Sequence, residues 1–240
     1  MNSILIWVIW VSTLIFASIS IPWYIKRYRK VDFVVAIYVI YLAMSQIIAT
    51  KIAVFHLFIG TFYTPAAVLI FPFTFQIIDI VNEAYGRYEV HRMTYIALVT
   101  QVIMAFFFWL ADLLPSAPFW QANPGWHSII SLVPRITVAS WIAFIISQNL
   151  DAFLYAKLRG LTNGRHLWIR NVIGDIISLA VDSVIFITLA FWGLQPIVPL
   201  IVGQIVIKWL VSIVDTPLMY LSRRILYRTP VVYQTQKNNQ

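Results

Sequence analysis

Charged side chains interrupt the long apolar stretches of this chain, and they are its first candidates for chemistry. A charge at the centre of a bilayer costs about 2.5–3.5 kcal/mol on insertion scales, so charges in such positions mark a binding site or a transport path. Only 11% of the residues are charged, which makes the embedded ones stand out. The embedded bases are Lys51, Arg135 and Lys208, and the embedded acids are Asp79, Glu83, Asp151, Asp175, Asp182 and Asp215.

The composition is typical of an integral membrane protein. Of the 240 residues, 61% are hydrophobic, and several apolar runs exceed the ~18 residues that indicate a transmembrane helix. The net charge of +8 comes from short basic groups between these runs, whereas a nucleic-acid-binding protein carries its basic residues on a solvated face. The absence of cysteine excludes metal sites built on thiolates. We expect one domain in contact with the lipid bilayer and no nucleic-acid partner.

Seven apolar segments predict seven transmembrane helices, and therefore an all-α membrane bundle. They cover residues 3–24, 31–55, 64–85, 92–114, 131–156, 170–193 and 197–222. The first segment has no basic n-region and no A-x-A cleavage site, so we expect a retained span and not a signal peptide. The predicted organisation is an additional N-terminal helix with its basic loop (1–30), a core of six helices (31–226) and a polar cytoplasmic tail (227–240).

The basic residues between the segments predict the orientation of the chain in the membrane. Fourteen of the 17 Lys and Arg residues fall in alternate connections, at 26–30, 87–92, 157–170 and 223–237. Cytoplasmic loops carry the excess of Lys and Arg in membrane proteins. We therefore predict a multi-pass protein of the cell membrane with its N-terminus outside and its C-terminus in the cytoplasm.

Three of the predicted helices carry a polar residue three positions before an aspartate, a spacing that puts both on one helix face. The pairs are Gln76 and Asp79, Gln148 and Asp151, and Ser212 and Asp215. Glu83 continues the first of these faces by one further turn. The pattern suggests three related helix hairpins with acidic residues on the cytoplasmic side.

A buried ion pair is predicted between Lys208 and Asp182, which lie at similar depths in segments 197–222 and 170–193. An unpaired charge in an apolar interior would be neutralised, so a partner is required. Asn171 shares the helix stripe of Asp182. Arg135, near the outer end of its segment, is expected to reach water or Asp112. The alternative, that these groups only join helices as structural ion pairs, stays open for any single pair.

No sequence motif indicates catalysis. The eight glycines form no G-x-x-x-x-G-K loop, which a P-loop ATPase needs. The four histidines fall at loops or segment ends and form no pair spaced for an intramembrane metal site. We expect no enzyme and no cofactor.

Aromatic and proline residues complete the candidate site. Phe75 and Trp209 adjoin the embedded charges and could stack on a flat heteroaromatic ligand, whose N–H edge a carboxylate binds in bidentate fashion. Pro72 and Pro217 are expected inside helices, where each removes a backbone hydrogen bond. Such interruptions occur where the backbone faces protein or a wet cavity, although a kink without function is an alternative.

The chain resembles the queuosine precursor transporter family, also called the vitamin-uptake-like family. The resemblance rests on FPFTFQIIDIVNEAYG, PRITVASWIAFIISQNLDAFLYAKLR, IRN with VDSVIF, and KWLVSIVDTPLMYL, within residues 31–225. It implies import of a 7-deazaguanine, the cyano or aminomethyl precursor of queuosine. On the matching positions it implies a polar core of Asp79, Arg135, Asp151, Asn171, Asp182, Lys208 and Asp215. We expect Asp182 or Asp79 to bind the purine edge and Lys208 to balance the charge.

Other readings stay open on the sequence. Ser45, Ala49 and Ala53 form a small-residue stripe that lets another helix approach closely. Energy-coupling factor transporters use an A-x-x-x-A surface of this kind, so the alternative is a substrate-capturing subunit that needs a separate ATPase module. The stripe would also suit a homodimer. The sequence does not exclude a receptor without transport. It also does not distinguish proton-coupled import from facilitated import.

Overall fold

The computed structural model describes residues 3–161 and 167–227. The side chains of residues 3, 4, 152, 155, 156, 158–161, 167–175 and 227 are outside this description. Two predictions fall there: Asn171 and Asp175 lie on a described helix, but their side chains are outside the described residues.

The described residues form helices, one hairpin and the connections between them, which confirms the all-α membrane class. Its elements are α1 (Ser3–Tyr28), α2 (Asp32–Ile48), β1 (Ile52–Leu57), β2 (Gly60–Pro65), a 3₁₀ turn (Ala66–Leu69), α3 (Phe71–Tyr85), α4 (Arg87–Asp112), α5 (Asn123–Ile130), α6 (Val133–Leu161), α7 (Leu167–Phe191) and α8 (Ile197–Tyr227). Each of the seven predicted segments contains most or all of one helix (α1–α4 and α6–α8), although segment 64–85 begins in β2 and the 3₁₀ turn. Within the described residues, five helical stretches are long and apolar enough to cross a membrane, and Asp32–Ile48 and Ile176–Phe191 are shorter apolar stretches.

The hairpin is the main difference from the predicted architecture. Helix α2 ends at Ile48, and β1 then pairs with β2 in antiparallel register from Ile52 opposite Pro65 to Leu57 opposite Gly60. The prediction that segment 31–55 is one helix was therefore wrong in its last turns. β-Branched and aromatic residues favour strands, whereas hydropathy alone does not separate an apolar strand from the end of an apolar helix. Lys51 lies between α2 and β1 and is exposed, so it is not inside a helix as predicted.

The two prolines differ in their effect. Pro72 occupies the first turn of α3, after the 3₁₀ turn. The prediction that it interrupts a helix was therefore wrong. The first N–H groups of a helix have no intrahelical acceptor, so a proline there removes no bond. Pro217 lies inside α8, as predicted.

The residues form two compact units. Unit 1 comprises Met1–Met44, Leu69–Thr100 and Val211–Gln240. Within this unit, helix α1 forms hydrogen bonds with the 3₁₀ turn before α3 and with α8. The indole N–H of Trp10 donates to the carbonyl oxygen of Leu69 at 2.8 Å, and the Ser222 hydroxyl donates to that of Ser18 at 2.9 Å. The N-terminal helix is thus an integral part of unit 1.

Unit 2 comprises Ser45–Val68 and Gln101–Leu210. Its apolar core lies around α6 and α7 and includes Ile136, Ile187 and Leu200. Ala49 follows the end of α2 and is 2% exposed in that core, and Ala53 lies on β1. The helical small-residue stripe predicted from Ser45, Ala49 and Ala53 is therefore absent, because the helix ends before its last two members. The surface on which the energy-coupling factor alternative depended is not formed.

Gly203 lets β2 pack directly on α8. A methyl group at this position would overlap the backbone carbonyl of Tyr63, which cannot move without breaking the hairpin. We predict that Gly203→Ala lowers the melting temperature in detergent. The clash, about 1–3 kcal/mol for overpacking, outweighs the gain of about 1 kcal/mol that alanine brings to a helix.

The matched control is Gly125→Ala in α5, where an added methyl group meets no atom within 4 Å. That variant is expected to melt at the wild-type temperature or slightly above it. Equal effects of both substitutions on the melting temperature would contradict the packing of β2 on α8 at Gly203.

Candidate functional site

The predicted ion pair is present at the centre of unit 2. The Lys208 ammonium on α8 donates to a carboxylate oxygen of Asp182 on α7, and the two side chains are only 5% and 17% exposed. The hydroxyl of Ser147 on α6 donates to the other oxygen of Asp182 at 3.4 Å. Removing one partner of a buried pair costs about 3–5 kcal/mol because the other charge is left uncompensated. The pair therefore holds three helices in one register.

A second polar contact joins α6 and α7 one turn away. The Ser178 hydroxyl donates to Asp151 at 3.5 Å. Ser147 and Asp151 are four residues apart on α6, as are Ser178 and Asp182 on α7, so each helix contributes one hydroxyl and one carboxylate on a single face. We call Ser147, Asp151, Ser178, Asp182 and Lys208 the ion-pair cluster. It offers two carboxylates and one cation among apolar helices.

Sequence reasoning selected the wrong neighbour of Asp151. Gln148 was predicted to share its face, but Gln148 is exposed and the structure does not bring it to the cluster. Ser147 is buried there instead, at 7% exposure. Both spacings, three and four residues, place side chains on one helix face, and only the position of α7 distinguishes them. The signal that could have found Ser147 is its four-residue spacing from Asp151.

Unit 1 holds a separate buried polar group around Gln76. The Gln76 amide nitrogen donates to Asp215 Oδ1 and to the Ser18 hydroxyl, both at 2.8 Å. Gln76 is fully buried and Asp215 is 7% exposed. The sequence indicated Gln76 and Asp215 as site residues but not that they bond to each other, and it did not indicate Ser18. Residues 139 positions apart share no periodic pattern, so this contact was not predictable.

The remaining acids of α3 lie towards its end. Asp79 is half-buried in the turn after Gln76. Glu83 accepts from the Arg223 guanidinium at 3.2 Å, with side chains 33% and 62% exposed. Exposed ion pairs of this kind contribute about 0–1 kcal/mol. Glu83 is therefore a surface group in this structure. Its ion pair with Arg223 stabilises the packing of α3 on α8 only weakly.

Arg135 does not contact Asp112, which was one of its predicted partners. Its guanidinium donates to the backbone carbonyls of Leu189 and Trp192 at 2.8 and 2.7 Å, at the end of α7. The last carbonyls of a helix lack intrahelical donors and carry partial negative charge, so a cation is favoured there. Asp112, the predicted partner, accepts instead from His127 at 2.8 Å. Arg135 thus caps α7, beside an apolar cleft of about 400 Å³ lined by residues such as Val138 and Ile142.

The two aromatic candidates are not equally placed. Phe75 is half-buried, with its ring centroid 4.2 Å from that of Phe71. Trp209 is 37% exposed on α8, although it follows the buried Lys208 in sequence. No group of three or more His, Cys, Asp or Glu that could hold a metal ion occurs among the described residues.

Comparison with known families identifies the class of this chain. Residues 65–222 match the family described as "Putative vitamin uptake transporter". The chain belongs to this family. The matched range begins at the end of β2 and includes all five residues of the ion-pair cluster. The family is one of multi-pass membrane transporters, which agrees with the expectation of transport and not catalysis.

Curated relatives carry a more specific name. The chain is 28% identical over 152 residues to the "Probable queuosine precursor transporter" of Bacillus subtilis, covering 62% of this chain and 66% of the relative. It is 23% identical to the Haemophilus influenzae protein of the same name, covering 55% and 54%. It is also 23% identical to the Escherichia coli "Queuosine precursor transporter", covering 55% and 57%. The chain thus spans between about half and two thirds of these relatives. No solved structure matches it.

The bond between Gln76 and Asp215 generates a stability prediction. Gln76→Met removes the donor and leaves a buried carboxylate oxygen without it, which costs about 1–3 kcal/mol, more where the group is charged. We expect a lower melting temperature in detergent for Gln76→Met. The double variant Gln76→Met/Asp215→Leu should recover most of the loss, because replacing both partners by apolar groups of similar shape is nearly neutral. Additive losses in the double variant would contradict this coupling.

Proposed function

We propose that this chain imports a queuosine precursor, 7-cyano- or 7-aminomethyl-7-deazaguanine, across the cell membrane. The names of the relatives support the substrate class. The observation that carries the proposal is the ion-pair cluster of unit 2, because it places a carboxylate and a cation together among apolar helices. Intramembrane ionisable residues mark substrate paths in transporters.

The chemistry of the cluster suits a guanine-type base. Such a base has two adjacent N–H donors on its pyrimidine edge and a ring carbonyl beside them. A carboxylate has about four lone-pair positions and can accept two N–H bonds at once. Asp182 receives one bond from Lys208 and a long one from Ser147, at 3.4 Å, so it retains acceptor capacity for such an edge. In this assignment Asp182 binds the N–H edge and Lys208 balances its charge or donates to the carbonyl.

The proposal is tested with the two members of the pair changed singly and together. Asp182→Asn is expected to lower the melting temperature, since Lys208 then loses the charge of Asp182, and to abolish uptake of labelled 7-cyano-7-deazaguanine into proteoliposomes. The double variant Asp182→Asn/Lys208→Met removes both charges and should regain stability, because replacing a buried ion pair by neutral groups is often close to neutral. Uptake should stay lost in the double variant.

Glu89→Gln is the matched control, since it makes the same carboxylate-to-amide change in the exposed pair of Glu89 with Arg92. It should keep both stability and uptake. If the double variant regains transport together with stability, the pair is only a structural ion pair and the assignment fails. Uptake by the wild-type chain alone also excludes an obligatory ATPase partner. A wild-type chain that transports only with such a partner would favour the capture-subunit alternative.

The orientation is also part of the proposal, with the N-terminus outside and the C-terminus in the cytoplasm. The chain has no cysteine, so single cysteines report accessibility without background. In intact cells, a membrane-impermeant maleimide is expected to label Ser116→Cys, in the exposed connection after α4, and not Lys30→Cys, before α2. Lysed cells should label both. The reverse pattern in intact cells would overturn the orientation.

A further inference from the structure

A second buried polar group lies in unit 2 and contains no charge. The Gln46 amide nitrogen on α2 donates to Gln101 Oε1 on α4 at 3.2 Å. The Trp141 indole N–H on α6 donates to the same oxygen at 2.9 Å, and the Ser140 hydroxyl donates to Gln46 Oε1 at 3.3 Å. We call Gln46, Gln101, Ser140 and Trp141 the amide cluster. Sequence reasoning selected none of its members.

The amide cluster holds Gln101 in one orientation and leaves one of its groups unused. An indole N–H can only donate, so the Gln101 oxygen must face Trp141 and its nitrogen must point the other way. Gln101 is 1% exposed, and its amide nitrogen has no hydrogen-bond partner among the described residues. A buried donor left without an acceptor costs about 1–3 kcal/mol. A ligand that brings an acceptor would remove this cost.

Helix α6 relates the amide cluster to the ion-pair cluster. Ser140 and Ser147 are seven residues apart, which is close to two helical turns, so they lie on one face of α6 about 10 Å apart along its axis. One contacts Gln46 of the amide cluster and the other contacts Asp182 of the ion-pair cluster. Asp151 extends the same face by a further turn. The polar face of α6 therefore joins an uncharged site to a charged one.

We propose that the amide cluster is a second substrate-binding site, in which the Gln101 amide nitrogen donates a hydrogen bond to the ring carbonyl of a 6-oxo-7-deazapurine. This assignment rests on the proposed function. Gln101 then adds to the selection of a 6-oxo over a 6-amino base, because a 6-amino group would place another donor against the Gln101 N–H. Trp141 is a positioning residue, since it acts by fixing the Gln101 amide.

The test compares two inhibitors that differ at position 6, namely 7-deazaguanine and 2,6-diamino-7-deazapurine, against uptake of labelled 7-cyano-7-deazaguanine in proteoliposomes. For the wild type, 7-deazaguanine is expected to inhibit at a concentration about 10- to 100-fold lower, the range that corresponds to one hydrogen-bond match against a mismatch. Gln101→Met removes the amide donor and keeps an unbranched side chain. We expect the ratio of the two inhibitory concentrations to fall about two- to tenfold, because the donor to the 6-oxo group is lost while the contacts of Asp182 and Lys208 with the base remain.

Two further variants separate recognition from folding. Trp141→Phe keeps a ring in place but releases the Gln101 amide, and should lower the ratio about two- to tenfold while uptake continues. Gln121→Met makes the same change in an exposed connection and should leave uptake and ratio unchanged. Should Gln101→Met prove too unstable to assay, the result of Trp141→Phe decides.

The outcomes for this inference and for the proposed function are distinct. If wild-type protein takes up the labelled base but Trp141→Phe and every active Gln101 variant keep the wild-type ratio, the amide cluster is not a recognition site and the transport proposal stands. If wild-type protein takes up no deazapurine, the proposed function fails, and this assignment fails with it.

Discussion

The buried ion pair between Lys208 and Asp182 is the constraint on which unit 2 depends. Neither charge is tolerable alone in an apolar interior, so α8 must lie where its lysine reaches α7. Ser147 adds α6 to the same contact. Rotation of one of these helices by a single residue turns its side chains by about 100° and would separate the partners. The pair thus determines the register of three helices as well as the position of the proposed substrate contacts.

The same rule governs the uncharged polar groups. Gln76 satisfies both of its N–H groups inside unit 1, through Asp215 and Ser18. The hydrogen bonds of Gln76 and Trp10 also attach α1 to its unit, although α1 precedes the range that matches the family. The Gln101 nitrogen has no partner among the described residues, and the proposed second site rests on an acceptor that a ligand supplies there.

Family membership and side-chain geometry concern different properties of this protein. The match over residues 65–222 establishes the class of protein, but it does not say which side chains contact substrate. The geometry concerns the side chains: in unit 2 it pairs Lys208 with Asp182 and bonds Asp151 to Ser178. It places Gln148 and Trp209 at the surface. The carboxylate of Asp182 and the cation of Lys208 are suited to a polar, flat heterocycle.

The sequence by itself determined the membrane class, the approximate positions of most helices and the pairing of Lys208 with Asp182. These follow from hydropathy and from the cost of a buried charge, both of which are local or nearly local properties. Only the tertiary structure decided that Ser147 and not Gln148 faces Asp182, that Arg135 caps α7, and that the Gln101 nitrogen has no partner among the described residues. It also decided that the apolar run after Ile48 folds as a strand. These features depend on which helix or strand packs against which side chain, and hydropathy and spacing contain no information about that neighbour.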